Sequence, residues 1–163
     1  RNTEAARFGD VLVLAIKPQV IGDVCDEISD DVTREKIVVS IGAGITTGYV
    51  EARLPRDVPV VRVMPNTPAL VQQGISAVAA GRSATPSDLH AISEIFHAVG
   101  VTREVDEKMM NAVTAVSGSG PAYVFYLMEA MADAAIAEGI PRELARELVE
   151  ETVRGAGDRK SVV

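Results

Sequence analysis

The sequence predicts an α/β layer on a parallel sheet, followed by an all-helical segment. Three observations predict it. Apolar runs rich in Val and Ile recur at residues 11–16, 37–41 and 58–64, the pattern of strands buried on both faces of a parallel sheet. Helically spaced stretches separate them, so the connections read as crossovers. After Val105 no strand-like run follows, and Ala, Leu, Met and Glu dominate, residues that favour helix. At 163 residues the chain is about one domain in size and long enough to bury a core.

Residues 1–7 read as part of a helix. The first strand, residues 11–16, is ended by Lys17 and Pro18, since proline cannot donate to a sheet ladder. Val20, Ile21, Val24 and Ile28 then carry helical spacing through residues 19–29, and residues 37–41 return as a strand. After Gly42, Ala43 and Gly44, either Thr46 or Thr47 can cap a short helix that reaches Leu54. Residues 58–64 form the next β-branched strand. Residues 75–80 are a further strand, residues 86–99 a helix with Asp88 near its acid-favouring start, and residues 101–105 close the sheet. Helices are predicted at 107–116, 122–138 and 141–154, with Gly139, Ile140 and Pro141 as a stop and restart. The helix at 122–137 is apolar on nearly every side, which predicts burial in a larger helical assembly or a subunit interface. Residues 158–163 fit neither the preceding helix nor a cap and are read as an artefactual tail. The domain organisation is therefore 1–105, 106–157 and that tail.

With 16 basic and 23 acidic side chains, the net charge of −7 repels polyphosphate at long range, so nucleic acid is excluded as a general partner. No apolar run reaches the roughly 20 residues that span a bilayer. The single Cys25 and the two histidines, His90 and His97, do not make a His/Cys zinc site. A reduced, cytoplasmic, metal-free chain is expected.

Three strands end in unusual turns: Ala15, Ile16, Lys17 and Pro18; Ile41, Gly42, Ala43 and Gly44; and Met64, Pro65, Asn66, Thr67 and Pro68. In open α/β sheets ligands bind outside the carboxyl ends of strands. Gly42 and Ala43 let a backbone approach a flat ring or ribose, while the prolines fix the other two loops. Lys17 is the one cation of its turn, suited to a phosphate, a ribose hydroxyl or a nicotinamide, or else a surface lysine. Asn66 carries both donors and acceptors, for a ligand or for a structural Asx-turn. Ser117, Gly118, Ser119, Gly120 and Pro121 precede the apolar helix, where free N–H groups suit an anion or small residues suit a close helix crossing. Neither a P-loop nor a Gly-x-Ser-x-Gly elbow is present.

The segments VLVLAIKPQ (from Val11), VVSIGAGIT (from Val38), RVMPNTPA (from Arg62) and TAVSGSGPAYVF (from Thr114) stand in the order and approximate spacing of the pyrroline-5-carboxylate reductases. The sequence resembles that family from Asn2 to Gly157. The resemblance implies a partial Rossmann-type domain and a helical carboxy-terminal domain similar to that of 6-phosphogluconate dehydrogenase. It also implies reduction of 1-pyrroline-5-carboxylate to L-proline with NADPH or NADH, and a homodimer or larger homo-oligomer. Carried over by position, Asn2, Ala15, Ile16, Lys17, Pro18, Ile41, Gly42, Ala43 and Asn66 fall on the cofactor side. Glu107, Ser117, Gly118 and Ser119 fall on the substrate side. The family's first strand with its Gly-x-Gly-x-x-Gly turn is missing, as is its Ser-Pro-Gly-Gly-Thr-Thr-like segment, so the chain reads as an internal portion with no catalytic residue to assign. On that reading the chain alone neither turns over substrate nor binds NADPH tightly. Two other readings stay open. One is a β-hydroxyacid or 6-phosphogluconate-type dehydrogenase, for which Lys108 lacks the Gly-x-x-x-Lys-x-x-Asn setting. The other is a non-catalytic nucleotide-binding or interaction module.

Overall fold

The computed structural model describes residues 1–160, with side chains through Asp158. Two compact units form, Arg1–Ser119 and a second that begins at Gly120.

The first unit holds five strands, β1 (Val11–Leu14), β2 (Ile37–Ser40), β3 (Val60–Met64), β4 (Gly74–Ala80) and β5 (Gly100–Glu104), hydrogen-bonded in that order. β1, β2 and β3 are mutually parallel. β4, however, runs antiparallel to β3, and β5 is parallel to β4. The wholly parallel sheet expected from sequence is thus a mixed one. Only residues 65–73 join β3 to β4, too few for the crossover of a dozen or more residues that parallel pairing requires. Helix α4 (Pro86–His97) supplies that crossover between β4 and β5.

The sheet buries two faces differently. Alternation along β3 sends Val61 and Val63 to one side, where Val39, Val78, Leu89 and Ile92 complete a core under α4. Val60 faces the other side with Leu12, Ile21, Cys25 and Val50, beneath helices α1 (Asn2–Phe8), α2 (Ile21–Ile28) and α3 (Thr47–Glu51). Met64 meets Ala77, Ala79 and Met110 further along that side. β1 differs from its expected two-sided burial: Leu12 and Leu14 are buried but Val13 is exposed. It is the edge strand, and the core beneath α4 gathers on β2, β3 and β4.

The segment after β5 also departs from expectation. Instead of one helix over 107–116, a 3-10 turn (Glu107–Met109), helix α5 (Met110–Val113) and a π turn (Thr114–Gly118) follow in sequence. The π turn arises because the Ser119 N–H reaches back five residues to the Thr114 carbonyl, at 2.8 Å.

In the second unit α6 (Gly120–Ala137) and α7 (Arg142–Lys160) form a helical hairpin. Gly139 takes a left-handed φ of 95°, and the Ile140 N–H returns to the Ala135 carbonyl at 3.0 Å, closing α6 as a Schellman turn does. Ala145 and Val149 are buried on α7. α7 runs on through Lys160, so residues 158–160, expected to leave the helix, continue it. The rest of the expected tail, 161–163, lies outside the described residues.

Candidate functional site

Because β1, β2 and β3 are parallel, the turns that follow them share one edge of the sheet. Ala15, Ile16 and Lys17 are exposed there, and Lys17 stands at the N-cap of a proline-started 3-10 turn, Pro18–Val20. The second turn is anchored at its start by the Ser40 hydroxyl, which accepts the Gly42 N–H at 3.3 Å. Thr46, of the two candidate threonines, caps α3 by accepting the Tyr49 N–H at 3.2 Å. Helix α3 stops at Glu51, short of the expected Leu54.

The glycines of this turn serve different ends. A Cβ on Gly42 would come within 2.6 Å of the end of the Ile21 side chain, so this glycine admits core packing from beneath. Gly44 has a φ of +76° with open space above it, and Ala43 beside it is exposed. The backbone available to a flat ligand is therefore at Ala43 and Gly44.

Asn66 is turned toward the protein. Its Oδ1 accepts the Ile75 N–H at 3.0 Å, and its Nδ2 donates to the Ser117 carbonyl at 3.2 Å. One amide thus pins the third turn to the start of β4 and to the π turn. Ile75 and Ser117 also line a shallow, mainly apolar pocket of about 360 Å³ with Ala77, Arg103, Val105 and Val113. Ser117 donates its hydroxyl to the Val113 carbonyl at 3.2 Å. Gly118 lies over Met64, and Ser119 closes the π turn through its N–H. These residues, read from sequence either as free N–H groups for an anion or as small residues for a close helix crossing, form a hydrogen-bonded helical turn.

Asn2 is exposed on α1, where its amide donates to Glu27 at 2.7 Å. Its apolar surroundings, Ala5, Ala6, Gly9, Val11 and Leu12, belong to a groove along the β1 edge.

Glu107 has the densest polar environment of the predicted residues. Its Oε1 accepts the Thr47 N–H at 2.7 Å and its Oε2 the Thr47 hydroxyl at 2.7 Å. Arg62 Nη1 lies 3.5 Å from Oε1, with the arginine side chain only 2% exposed. Sequence reasoning missed Arg62 and read Thr47 only as a possible cap of the short helix. One signal was present, an arginine inside an otherwise apolar strand, since a buried cation needs a counter-charge. The Thr47–Glu107 pair, 60 residues apart, leaves no local trace. His90 and His97 are both exposed on α4. No group of three His, Cys, Asp or Glu side chains among the described residues is placed to hold a metal, and no described helix is long and apolar enough to cross a membrane.

The donor set fits a dinucleotide in part: an exposed lysine on the first turn, exposed backbone at Ala43 and Gly44, and a rigid third turn held by Asn66. Comparison with known proteins points the same way. Residues 107–161 match the family model for pyrroline-5-carboxylate reductase dimerisation. Residues 1–44 match a model described as coenzyme F420-dependent NADP oxidoreductase. A pyrroline-5-carboxylate reductase of Methanosarcina acetivorans is 46% identical over 155 residues, 95% of this chain and 57% of that protein. The solved reductase of Coxiella burnetii superposes with a TM-score of 0.90 at 37% identity, covering all of this chain and 61% of its own. That of Plasmodium falciparum, solved with NADP bound, gives 0.92 at 36% identity, covering 96% of this chain and 60% of its own. The chain therefore spans between half and about three fifths of the length of these relatives.

Proposed function

Over the stretch it shares with them, the chain belongs to the pyrroline-5-carboxylate reductase family, and on that premise we propose that the polypeptide containing it reduces 1-pyrroline-5-carboxylate to L-proline with NADPH or NADH. One observation carries the reading: the three turns predicted to meet a nucleotide do share one edge of the sheet, after β1, β2 and β3. When bound, the nicotinamide supplies the hydride. This chain's part is orientation, and hydride transfer asks chiefly that of a protein. Lys17 offers its ammonium to the cofactor's anionic or ribose groups. Ala15, Ile16 and Pro18 shape the first turn, while in the second Ile41 and the buried Gly42 support the exposed backbone at Ala43 and Gly44. Asn66 fixes the third without spending its amide on the ligand, and Asn2 marks the adenosine end. Glu107, Ser117, Gly118 and Ser119 belong to the substrate side.

The helical part, begun after Val105, serves assembly in this reading. α6 leaves Tyr123, Phe125, Tyr126 and Leu127 exposed, and covering each such side chain is worth about 1.5–3 kcal/mol, so the protein works as a homodimer or larger homo-oligomer. The net charge of −7 and the lone cysteine suit a cytoplasmic enzyme without nucleic-acid partners.

The test is NADPH oxidation by the purified polypeptide in the presence of pyrroline-5-carboxylate. Proline formation, together with a raised KM for NADPH in Lys17→Ala, is the expected result. No activity on this imine, with turnover of a hydroxyacid or keto acid, would overturn it.

A further inference from the structure

Arg62 is the one charged side chain buried within β3, and the structure gives it a single polar contact. Its Nη1 lies 3.5 Å from Glu107 Oε1, whereas Nε and Nη2 are buried without a partner among the described residues. A cation so placed is held by the charge above it, since removing either partner of a buried pair leaves the other uncompensated. The Glu107 carboxylate is itself spent on Thr47, one oxygen on the backbone N–H and the other on the hydroxyl, both at 2.7 Å. Thr47 is buried and opens α3. Glu107 thus caps a helix start from a distant part of the chain, where a carboxylate is electrostatically favoured.

The consequence falls on the turn before that helix. Residues 41–46 are tied at one end by the Ser40 hydroxyl to Gly42 and at the other by Glu107 to Thr47. Between the ties, Gly44 holds a φ of +76° and Ala43 is exposed. With both carboxylate oxygens engaged on Thr47 and Arg62 behind it, Glu107 is poorly disposed to take a substrate group as well. From this geometry we infer that Glu107 and Arg62 are positioning residues, holding the Ile41, Gly42 and Ala43 turn in the shape that receives the cofactor. The inference rests on the cofactor reading above and changes the part Glu107 plays in it: the carboxylate acts through Thr47.

Three variants in the polypeptide containing this chain test it: Glu107→Gln, Thr47→Val and Arg62→Lys. Glu107→Gln keeps one acceptor for the Thr47 N–H but loses the charge, and Thr47→Val removes only the hydroxyl. Both are expected to raise the KM for NADPH, about tenfold and about threefold, with the KM for pyrroline-5-carboxylate within twofold of wild type. Arg62→Lys, which keeps the charge, is expected to retain most of the NADPH affinity. A tenfold rise in the KM for the imine in Glu107→Gln, with Thr47→Val silent, would overturn the inference by placing the carboxylate on substrate. So would unchanged constants for both cofactor and imine. Wild-type protein inactive on this imine would remove the functional reading and leave hydrogen exchange as the readout. Faster exchange across residues 41–47 in Glu107→Gln supports the clamp, and unchanged exchange overturns it.

Discussion

The two units of this chain treat their apolar residues in opposite ways. In the sheet unit the valines of β2 and β3 are shut off from solvent between two sets of helices. In the helical hairpin no α6 residue is buried, and Tyr126 stands 76% exposed in a helix with scarcely any charge. The lesson concerns completeness. A strand buries its side chains against helices that the same stretch of sequence encodes. α6 carries apolar residues around its whole circumference, and one neighbouring helix can cover only one stripe.

The largest effect that would sharpen this contrast comes from one aspartate placed in each unit. Val61→Asp puts an unpaired carboxylate at a fully buried site, a change expected to cost more than about 4 kcal/mol and to unfold the sheet unit. Tyr126→Asp adds the same charge to a position exposed in this chain, where it should alter the hairpin's own stability by no more than about 0.5 kcal/mol and act instead by weakening self-association. Thermal unfolding followed by circular dichroism gives the first quantity and sedimentation the second. Equal destabilisation by the two variants would break the distinction between the units.

Reading the sequence recovered the elements better than their directions. Strand and helix positions follow from local pattern: the runs at 37–41 and 86–99 match β2 and α4 to within two residues. The reversal of β4 has no signature inside β4 itself and resides in the shortness of residues 65–73. Likewise the exposure of Val13 depends on what covers β1, which no window around Val13 reports. For the site, the three turns and Lys17 were legible because glycine, proline and a lone cation punctuate apolar runs. The partnership of Thr47, Arg62 and Glu107 was not, since it joins three elements across long separations. Asn66 lies between these cases: its special role was visible, but its partners Ile75 and Ser117 emerge only once the sheet turns back on itself.

A smaller effect separates a capped helix start in the sheet unit from an exposed helix face in the hairpin. α4 begins with a capping box in which Thr85 Oγ1 accepts the Asp88 N–H at 3.3 Å and the Asp88 carboxylate takes the Thr85 N–H at 2.7 Å. Thr85→Ala removes one arm of this box and should cost about 1 kcal/mol, measured as a lower urea midpoint with an unchanged slope. Glu147→Ala on the exposed face of α7 should stay within about 0.5 kcal/mol of wild type. If the exposed change cost as much as the cap, the hairpin would be more tightly determined than its open surface indicates.

The last effect is absent at neutral pH and appears only at high pH in the sheet unit, because Cys25 is the only cysteine of the chain. It is buried on α2 against the core of Ile21, Ile28 and Val38. Burial pushes its thiol from an ordinary value near 9.0 up to about 11, with Arg53 acting in the opposite direction and Asp26 in the same one. Loss of water disfavours the thiolate, which is why the shift is upward. Below about pH 9 the thiol is protonated whether the chain is folded or not, and its full contribution to stability is present. Between about 9 and 11 the unfolded chain loses the proton and the folded one keeps it, so stability falls as pH rises through that window. Other groups titrate there too, and the thiol's share is isolated by comparing wild type with Cys25→Ala at each pH. The two urea midpoints should differ by a constant amount up to about pH 9 and converge above it. In the native protein at pH 8 the thiol should also react with iodoacetamide far more slowly than after unfolding in urea. A midpoint difference that stayed flat to pH 10, or alkylation at the rate of an unfolded chain, would show that α2 opens readily and that the sheet unit's core is less closed than its packing shows.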